Sequence, residues 1–197
     1  MKGSLIIVGF FALGVVLGLN LDVLNKYTEY SSYVLYALMF TVGVSIGCDK
    51  KTLNSLRNQD LRVVLLPVAT IIGTTAAGLL LAPLMTGMSL REVLAVASGF
   101  GYYSLSSIII TEYSGAEIGT IALIANIVRE IMALLLAPIM VRWFSPLALI
   151  SAAGATSLDT LLPIITRFSG KEFVVISIFH GLVMELTVPV LVTLFIS

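Results

Sequence analysis

The sequence predicts an all-α polytopic membrane protein with five full spans and two interrupted segments. Of its 197 residues, 58% are hydrophobic and 11% are charged, and the mean hydropathy is +1.08. A soluble domain has about 25% charged and about 45–50% apolar residues, so lipid is the solvent that suits this chain. Long apolar runs follow one another, and glycine and serine break two of them at their centres. This matching pair predicts an internal repeat.

The composition also excludes several classes of function. A net charge of +0 gives no basic surface for nucleic acid, and one cysteine, Cys48, excludes an internal disulfide. No glycine-rich loop has the lysine of an ATP-binding motif, and no serine–histidine–acid spacing indicates a protease. We therefore expect a protein that is not an enzyme and that has no cofactor and no metal site.

The first three spans are predicted at residues 4–19, 30–47 and 61–85. The first resembles a signal peptide, but no small-residue cleavage site follows it, so we interpret it as a true span. The loop after the second span has the greatest density of basic residues, which predicts that it is cytoplasmic. Residues 1–88 are thus expected to form an N-terminal three-span region.

The remaining chain is predicted to be a two-repeat transport core, residues 89–197, with copies at 89–141 and 146–197. Each copy has an interrupted segment, at 89–113 or 146–168, and then a full span, at 117–141 or 172–196. Interrupted hydrophobic segments at matching positions of two repeats are typical of secondary transporters. The alignment pairs Gly101 with Gly154, Ser106 with Asp159, Ser114-Gly115 with Ser169-Gly170, Glu117 with Glu172, and Glu130 with Glu185.

The topology depends on whether the interrupted segments cross the membrane. If they cross, the copies are parallel, whereas re-entrant hairpins make the copies inverted. The hairpin alternative places Arg142, Arg167 and Lys171 inside, and Glu112 and Glu117 outside. The positive-inside rule therefore favours re-entrant hairpins and an inverted repeat, with the C-terminus outside the cytoplasmic membrane.

Ionisable groups in the middle of spans are the sharpest functional signal. The chain has Arg129, Glu130, Asp159 and Glu185 at such positions, with His180 as a weaker candidate. A charge there costs roughly 2.5–3.5 kcal/mol on insertion scales, so such residues suggest substrate or ion sites. We expect Asp159 to bind a proton, sodium or an ammonium group, although it could instead cap a helix. Glu130 and Glu185 occupy equivalent repeat positions and are expected near one central site.

The other candidates each have a structural alternative. Arg129 could hold a substrate carboxylate or form an arginine–acid pair, and His180 could be a hydrogen-bonded core residue. Asn126 lies one helical turn before Glu130 and so faces the same side. The tyrosines could line the site or pack at the break. The polar candidates around the interruptions are Asn126, Tyr102, Tyr103, Ser104, Ser106, Thr156 and Ser157.

Three stretches, at residues 101–107, 125–130 and 154–163, resemble the LysO family of lysine exporters, as does His180-Gly181. The resemblance covers about residues 5–195. It implies export of L-lysine, and of analogues such as thialysine, in exchange for protons or another cation. It also implies that Glu130 and Asp159 are the important acids. Members of the family have a further N-terminal spanning region. The resemblance therefore implies a homo-oligomer or a small membrane partner.

Two other functions compete with lysine export. One is a cation/proton antiporter or channel that has no amino-acid substrate, with H⁺ or Na⁺ as the coupling ion. The other is a membrane scaffold that transports nothing. A scaffold has little reason to place acids at matching mid-membrane positions, which favours transport.

Overall fold

The computed structural model describes residues 61–197, together with scattered helical positions between residues 9 and 48. The chain divides into two compact units, Met1–Ser45 and Ile46–Ser197. The spans predicted at 4–19 and 30–47 lie largely outside the described residues. The architecture below is that of the second unit, whose described part is all helical.

Helix α1, Leu61–Leu81, corresponds to the predicted third span. It passes into a short 3-10 turn, Ala82–Leu84, which has a proline in its first turn. Proline has no amide hydrogen and is tolerated in the first turn of a helix, where that amide would have no partner. The prediction of one apolar segment from 61 to 85 agrees with these two elements.

The first interrupted segment folds as two helical arms. Helix α2, Leu90–Ala97, starts with a capping box in which Ser89 and Glu92 satisfy each other's main-chain amides. After a bend at residues 98–102, helix α3 runs over Tyr103–Trp143. It is broken at Gly115, whose φ of 85° and ψ of 171° are not helical. The break separates the second arm of the hairpin from the long apolar helix that follows.

The second interrupted segment has the same order of elements. Helix α4, Pro146–Ala153, is capped by Ser145 and has a proline in its first turn, and it leads into a 3-10 segment, Gly154–Leu158. Helix α5, Leu162–Phe168, is the returning arm. A 3-10 turn, Lys171–Phe173, then leads into α6, Val174–Ile196.

The aligned glycines share an unusual backbone conformation. Gly101 and Gly154 have φ of 86° and 65°, and Gly115 and Gly170 have φ of 85° and 114°. Positive φ is a conformation that glycine adopts readily and that other residues avoid. The alignment predicted these pairs, and the backbone accounts for the glycine at each position. The inverted repeat itself stays a prediction.

The lengths of the helices indicate a multi-pass membrane protein. Within the described residues, three segments are long and apolar enough to cross a membrane: Leu65–Leu84, Tyr103–Trp143 and Lys171–Ile196. Helices α2 and α4 have 8 residues each. At about 1.5 Å per residue, each is about 12 Å long, well short of the roughly 30 Å hydrocarbon layer.

The core lies where α3, α4 and α5 meet. It contains Ala133 and Ala137 of α3, which pack against Leu149 and Ile150 of α4 and Ile165 of α5. Small residues at a helix interface allow the backbones to approach closely, which is how membrane helices commonly associate. Large apolar side chains such as Leu80, Leu135 and Val190 remain exposed on the outer faces, as expected for surfaces in contact with lipid.

Candidate functional site

The two interruptions meet main chain to main chain. The amide of Ala155 donates to the carbonyl of Phe100 over 2.9 Å. A Cβ on Gly101 would lie 3.1 Å from the carbonyl oxygen of Ala153, and a Cβ on Gly154 would press against the carbonyl of Phe100. We define the first tip as residues 98–102 and the second tip as residues 153–158. Glycine suits both positions because both have positive φ, and at Gly154 a side chain would also collide with the facing main chain.

Asn126 of α3 fastens the first tip. Its Oδ1 accepts from the amide of Gly101 over 2.8 Å, and its Nδ2 donates to the carbonyls of Val96 and Ala122 over 3.3 and 2.9 Å. The side chain is buried, and both amide hydrogens are used. Asn126 therefore stabilises the break after α2, which is a structural role beside the predicted polar contact.

Arg129, one turn further along α3, fastens the second hairpin. Its Nε donates to the carbonyl of Ala152 over 3.0 Å and its Nη2 to that of Ser151 over 3.3 Å. Both carbonyls belong to the last turn of α4, where a cation is also favoured by the helix dipole. The guanidinium carbon lies 5.7 Å from the ring centroid of Phe100. These partners are main-chain carbonyls rather than the predicted acid, and a contact between Arg129 and a substrate carboxylate stays a prediction.

Phe100 is held in a conformation that is rare for a bulky residue. It is fully buried, and its φ is 44°, the one positive value of a residue other than glycine in the part of the chain described. Its carbonyl binds the second tip, and its ring lies beneath Arg129. Such a backbone persists only where the surroundings determine it, as they do here.

Glu130 is the buried acid of the site. Its side chain is 8% exposed, and its Oε2 has no hydrogen-bond partner among the residues that the structure describes. It lies on the face of α3 between Asn126 and Ala133, which are also buried. An unpaired carboxylate oxygen in a low-dielectric interior is costly, so this position calls for a proton or a cation.

Asp159 and Glu185 form a second acidic group with Tyr102. The charge of Asp159 acts on Glu185, and both charges act on the hydroxyl of Tyr102. Glu185 and Tyr102 are half-buried, whereas Asp159 is exposed in this chain. Asp159 follows the 3-10 segment, where its Oδ1 accepts from the amide of Thr160 over 2.5 Å.

The sequence predicted that Glu130 and Glu185 would approach one central site, and this stays a prediction. The acid whose charge acts on Glu185 in the described region is Asp159.

His180 is fully buried and joins three elements. Its Nε2 lies 2.9 Å from Oγ1 of Thr70 in α1, and its Nδ1 lies 3.3 Å from Oγ of Ser157 in the second tip. Ser157 and Ser177 exchange bonds, each hydroxyl donating to the other's carbonyl over 3.0 and 2.6 Å. This agrees with the structural alternative for His180, a hydrogen-bonded core residue.

The remaining predicted residues lie around the two tips. Thr156 is buried and donates to the carbonyl of Ala153 over 2.8 Å, and Ser106 is buried and donates to that of Tyr102 over 2.9 Å. Tyr103 is buried, and Ser104 is half-buried. All four therefore line or stabilise the interruptions.

Sequence reasoning missed Thr70, Ser177 and Phe100. Ser177 precedes His180 by three residues, a spacing that places both on one helical face and could have revealed the pair. Thr70 is one of several threonines in an apolar span, so nothing distinguished it. Phe100 had no signal, because its role depends on the main chain.

Two open cavities flank α1, and Arg129 borders both. One, of about 390 Å³, lies between α1, α2 and α3 and is lined by residues that include Gly78, Val96 and Asn126. The other, of about 430 Å³, lies between α1, α3 and α4 and includes Thr70 and Ser151. Both linings are mainly apolar.

Comparisons with known proteins identify relatives of the whole chain. The profile of the lysine exporter family LysO matches residues 8–196. The chain is 35% identical over 193 residues to the lysine exporter LysO of Escherichia coli, a match that covers 98% of this chain and 64% of the relative. It is also 35% identical over 189 residues to a Haemophilus influenzae protein whose name provisionally assigns lysine export, with 94% of each chain covered.

This chain thus spans 64% of the length of the Escherichia coli relative. No solved structure shows a significant match. The family profile covers almost all of the chain, and it agrees with the resemblance seen in the three motifs. These relatives are transporters rather than enzymes by name. The chain belongs to the LysO family of lysine exporters.

Proposed function

We propose that this protein exports L-lysine across the cytoplasmic membrane in exchange for protons or another cation. The single observation behind this proposal is the carboxylate of Glu130, buried and with one oxygen unpaired in the described region. A proton neutralises such a group, and so does the ammonium group of lysine. Because one carboxylate cannot hold both, binding of one releases the other, which is the basis of exchange.

Asp159 and Glu185 are proposed as the second cation position. Two like charges that act on each other are relieved when a proton or an ammonium group binds between them. The charges of both carboxylates act on the half-buried hydroxyl of Tyr102. The 3-10 segment that leads to Asp159 is part of the broken backbone that transporters place around their substrates.

We further propose that both hairpins are re-entrant, that the copies are inverted, and that the C-terminus faces outside. The short α2 and α4 support this topology, because each is less than half the thickness of the hydrocarbon layer. The matching positive φ values support the pairing of the copies. Analogues such as thialysine would share the site, since they have the same ammonium and carboxylate groups. The homo-oligomer or small membrane partner stays a prediction.

The test is lysine efflux from proteoliposomes that contain the purified protein and radiolabelled lysine, with and without a pH gradient. Glu130→Gln is expected to reduce coupled efflux at least tenfold, since it removes the negative charge but keeps the shape. Asp159→Asn and Glu185→Gln should also reduce it. Glu117→Gln is the matched control, because Glu117 lies on the same helix and is exposed.

Two outcomes would contradict the proposal. Undiminished coupled efflux in Glu130→Gln or Asp159→Asn would exclude that residue from the exchange. Proton or sodium flux that proceeds at full rate without lysine would favour the competing cation/proton antiporter, for which an unpaired buried carboxylate is equally suitable.

A further inference from the structure

A buried chain of hydrogen bonds surrounds His180 and crosses from α1 to the second tip. The Oγ1 atom of Thr70 lies 2.7 Å from Oγ of Ser151 in α4 and 2.9 Å from Nε2 of His180. The other ring nitrogen of His180, Nδ1, lies 3.3 Å from Oγ of Ser157. His180, Ser157 and Ser177 are fully buried, and Thr70 is 4% exposed. Four polar side chains buried this deeply in an apolar protein are costly unless their partners are fixed, so the arrangement constrains the elements that contribute them.

The hydrogens available to this chain determine its bonding. The hydroxyl of Thr70 also lies within 3.0 Å of the carbonyl of Leu66, to which it donates. A neutral imidazole has one donor and one acceptor, and its two tautomers exchange these roles between Nε2, beside Thr70, and Nδ1, beside Ser157. The hydroxyl of Ser157 also lies 2.7 and 3.0 Å from the carbonyls of Gly154 and Ser177, to which it donates. In either tautomer, His180 therefore contacts the hydroxyl that holds the second tip.

We propose that His180 is a positioning residue, which holds Ser157 of the second tip against Thr70 of α1 and thereby sets the place of Asp159. Asp159 follows Ser157 by two residues, and Glu185 follows His180 by five on α6. The same ring therefore anchors the segments that bear both acids of the second cation position. This inference rests on the proposed function only for its effect on transport, because the effect on the second tip is a property of the fold.

Asn126 has a role in the first hairpin like that of His180 in the second, although the alignment pairs Asn126 with Gly181. Asn126 lies on the long helix that follows the first hairpin, and it binds Gly101 in the first tip. His180 lies on the long helix that follows the second hairpin, and it binds Ser157 in the second tip. Thr70 adds a connection that Asn126 does not have, since α1 lies outside both copies. The second tip is therefore held relative to α1 through one side chain.

The experiment compares His180→Ala and Thr70→Val with conservative and control variants in the efflux assay. If Asp159 is displaced, the half-saturating lysine concentration should rise about tenfold, equivalent to about 1.4 kcal/mol, when rates are normalised to folded protein. His180→Gln and Thr70→Ser retain a donor and an acceptor and should recover most of the affinity. The double variant Thr70→Val/His180→Ala should raise the half-saturating concentration by less than the sum of the two single variants, because both remove the bond between Thr70 and His180.

The control is Thr187→Val. Thr187 lies on α6 and its hydroxyl bonds only the carbonyl of Val183, four residues earlier, over 2.7 Å among its described partners. It loses the same hydroxyl as Thr70→Val without touching the second tip. An unchanged half-saturating concentration in His180→Ala, or an equal rise in Thr187→Val, would overturn the positioning role.

Amide hydrogen exchange separates this inference from the proposed function. Peptides covering residues 154–161 should exchange several-fold faster in His180→Ala and Thr70→Val, and at the original rate in Thr187→Val. If the unmodified protein moves no lysine but this pattern appears, the proposed function fails and the positioning role stands. If lysine is exported but exchange in 154–161 does not change, the positioning role fails alone.

Discussion

Replacing Gly154 with alanine should destabilise the protein more than the same change at Gly115. Both glycines have positive φ, 65° and 85°. A non-glycine residue there costs roughly 1–2 kcal/mol in backbone strain. A Cβ on Gly115 would have open space, with no atom within 4 Å, whereas one on Gly154 would collide with the carbonyl of Phe100. The Phe100 carbonyl accepts the amide of Ala155, so the collision also breaks a buried hydrogen bond.

Leaving those two main-chain groups unpaired costs about 1–3 kcal/mol more. We therefore expect losses of about 2–5 kcal/mol for Gly154→Ala and about 1–2 kcal/mol for Gly115→Ala, from strain and bonding together. The assay is denaturant unfolding of the purified protein in detergent micelles, followed by tryptophan fluorescence and circular dichroism. If Gly154→Ala were as stable as Gly115→Ala, the contact between the tips would not stabilise the fold.

Three further substitutions test other contacts. Arg129→Lys should destabilise the protein by about 1–3 kcal/mol, because a single ammonium group cannot reproduce the two guanidinium bonds to α4. A variant of unchanged stability that loses only affinity for lysine would instead indicate that Arg129 contacts the substrate. Asn126→Leu should cost about 1–3 kcal/mol, since it leaves the amide of Gly101 unpaired, and exchange at the first tip should quicken; unchanged exchange would contradict this fastening role. The amide and hydroxyl of Ser89 lower the pKa of Glu92 below its ordinary value of 4.5. The contribution of the Glu92 carboxylate to stability is therefore complete above pH 4.5, the ordinary pKa, and is lost as the pH falls through the lower pKa of the folded protein. Unfolding midpoints of Glu92→Gln and the unmodified protein should therefore differ at pH 7 and converge in acid, and equal midpoints at both would show that the capping box adds nothing.

The sequence predicted the helical elements of residues 89–197 because apolar length and glycine position are local signals. The interrupted segments at 89–113 and 146–168 correspond to α2 with the start of α3, and to α4 with α5. The full spans at 117–141 and 172–196 correspond to the later part of α3 and to α6. The glycines at 101, 115, 154 and 170 could be paired from the sequence because positive φ restricts these positions to glycine.

The partners of the polar side chains were beyond sequence reasoning. Arg129 bonds main-chain carbonyls, which every residue has, so no sequence pattern distinguishes them from a carboxylate partner. The burial of Glu130 follows from its helical face, but the exposure of Asp159 depends on how the 3-10 segment turns. The sequence placed His180 in the middle of a span, but its partners come from α1 and the second tip, which no spacing along the chain indicates.

Asn126 and Arg129 attach the two hairpins to α3 at points only three residues apart. At about 1.5 Å per residue, the two attachments are separated by about 4.5 Å along the helix axis. Both hairpins are thus attached to one short stretch of α3, and a rotation of this helix would displace both attachments together. Glu130 is the next residue along α3. A change in the group bound to its carboxylate would therefore act directly at the stretch of helix to which both hairpins are attached.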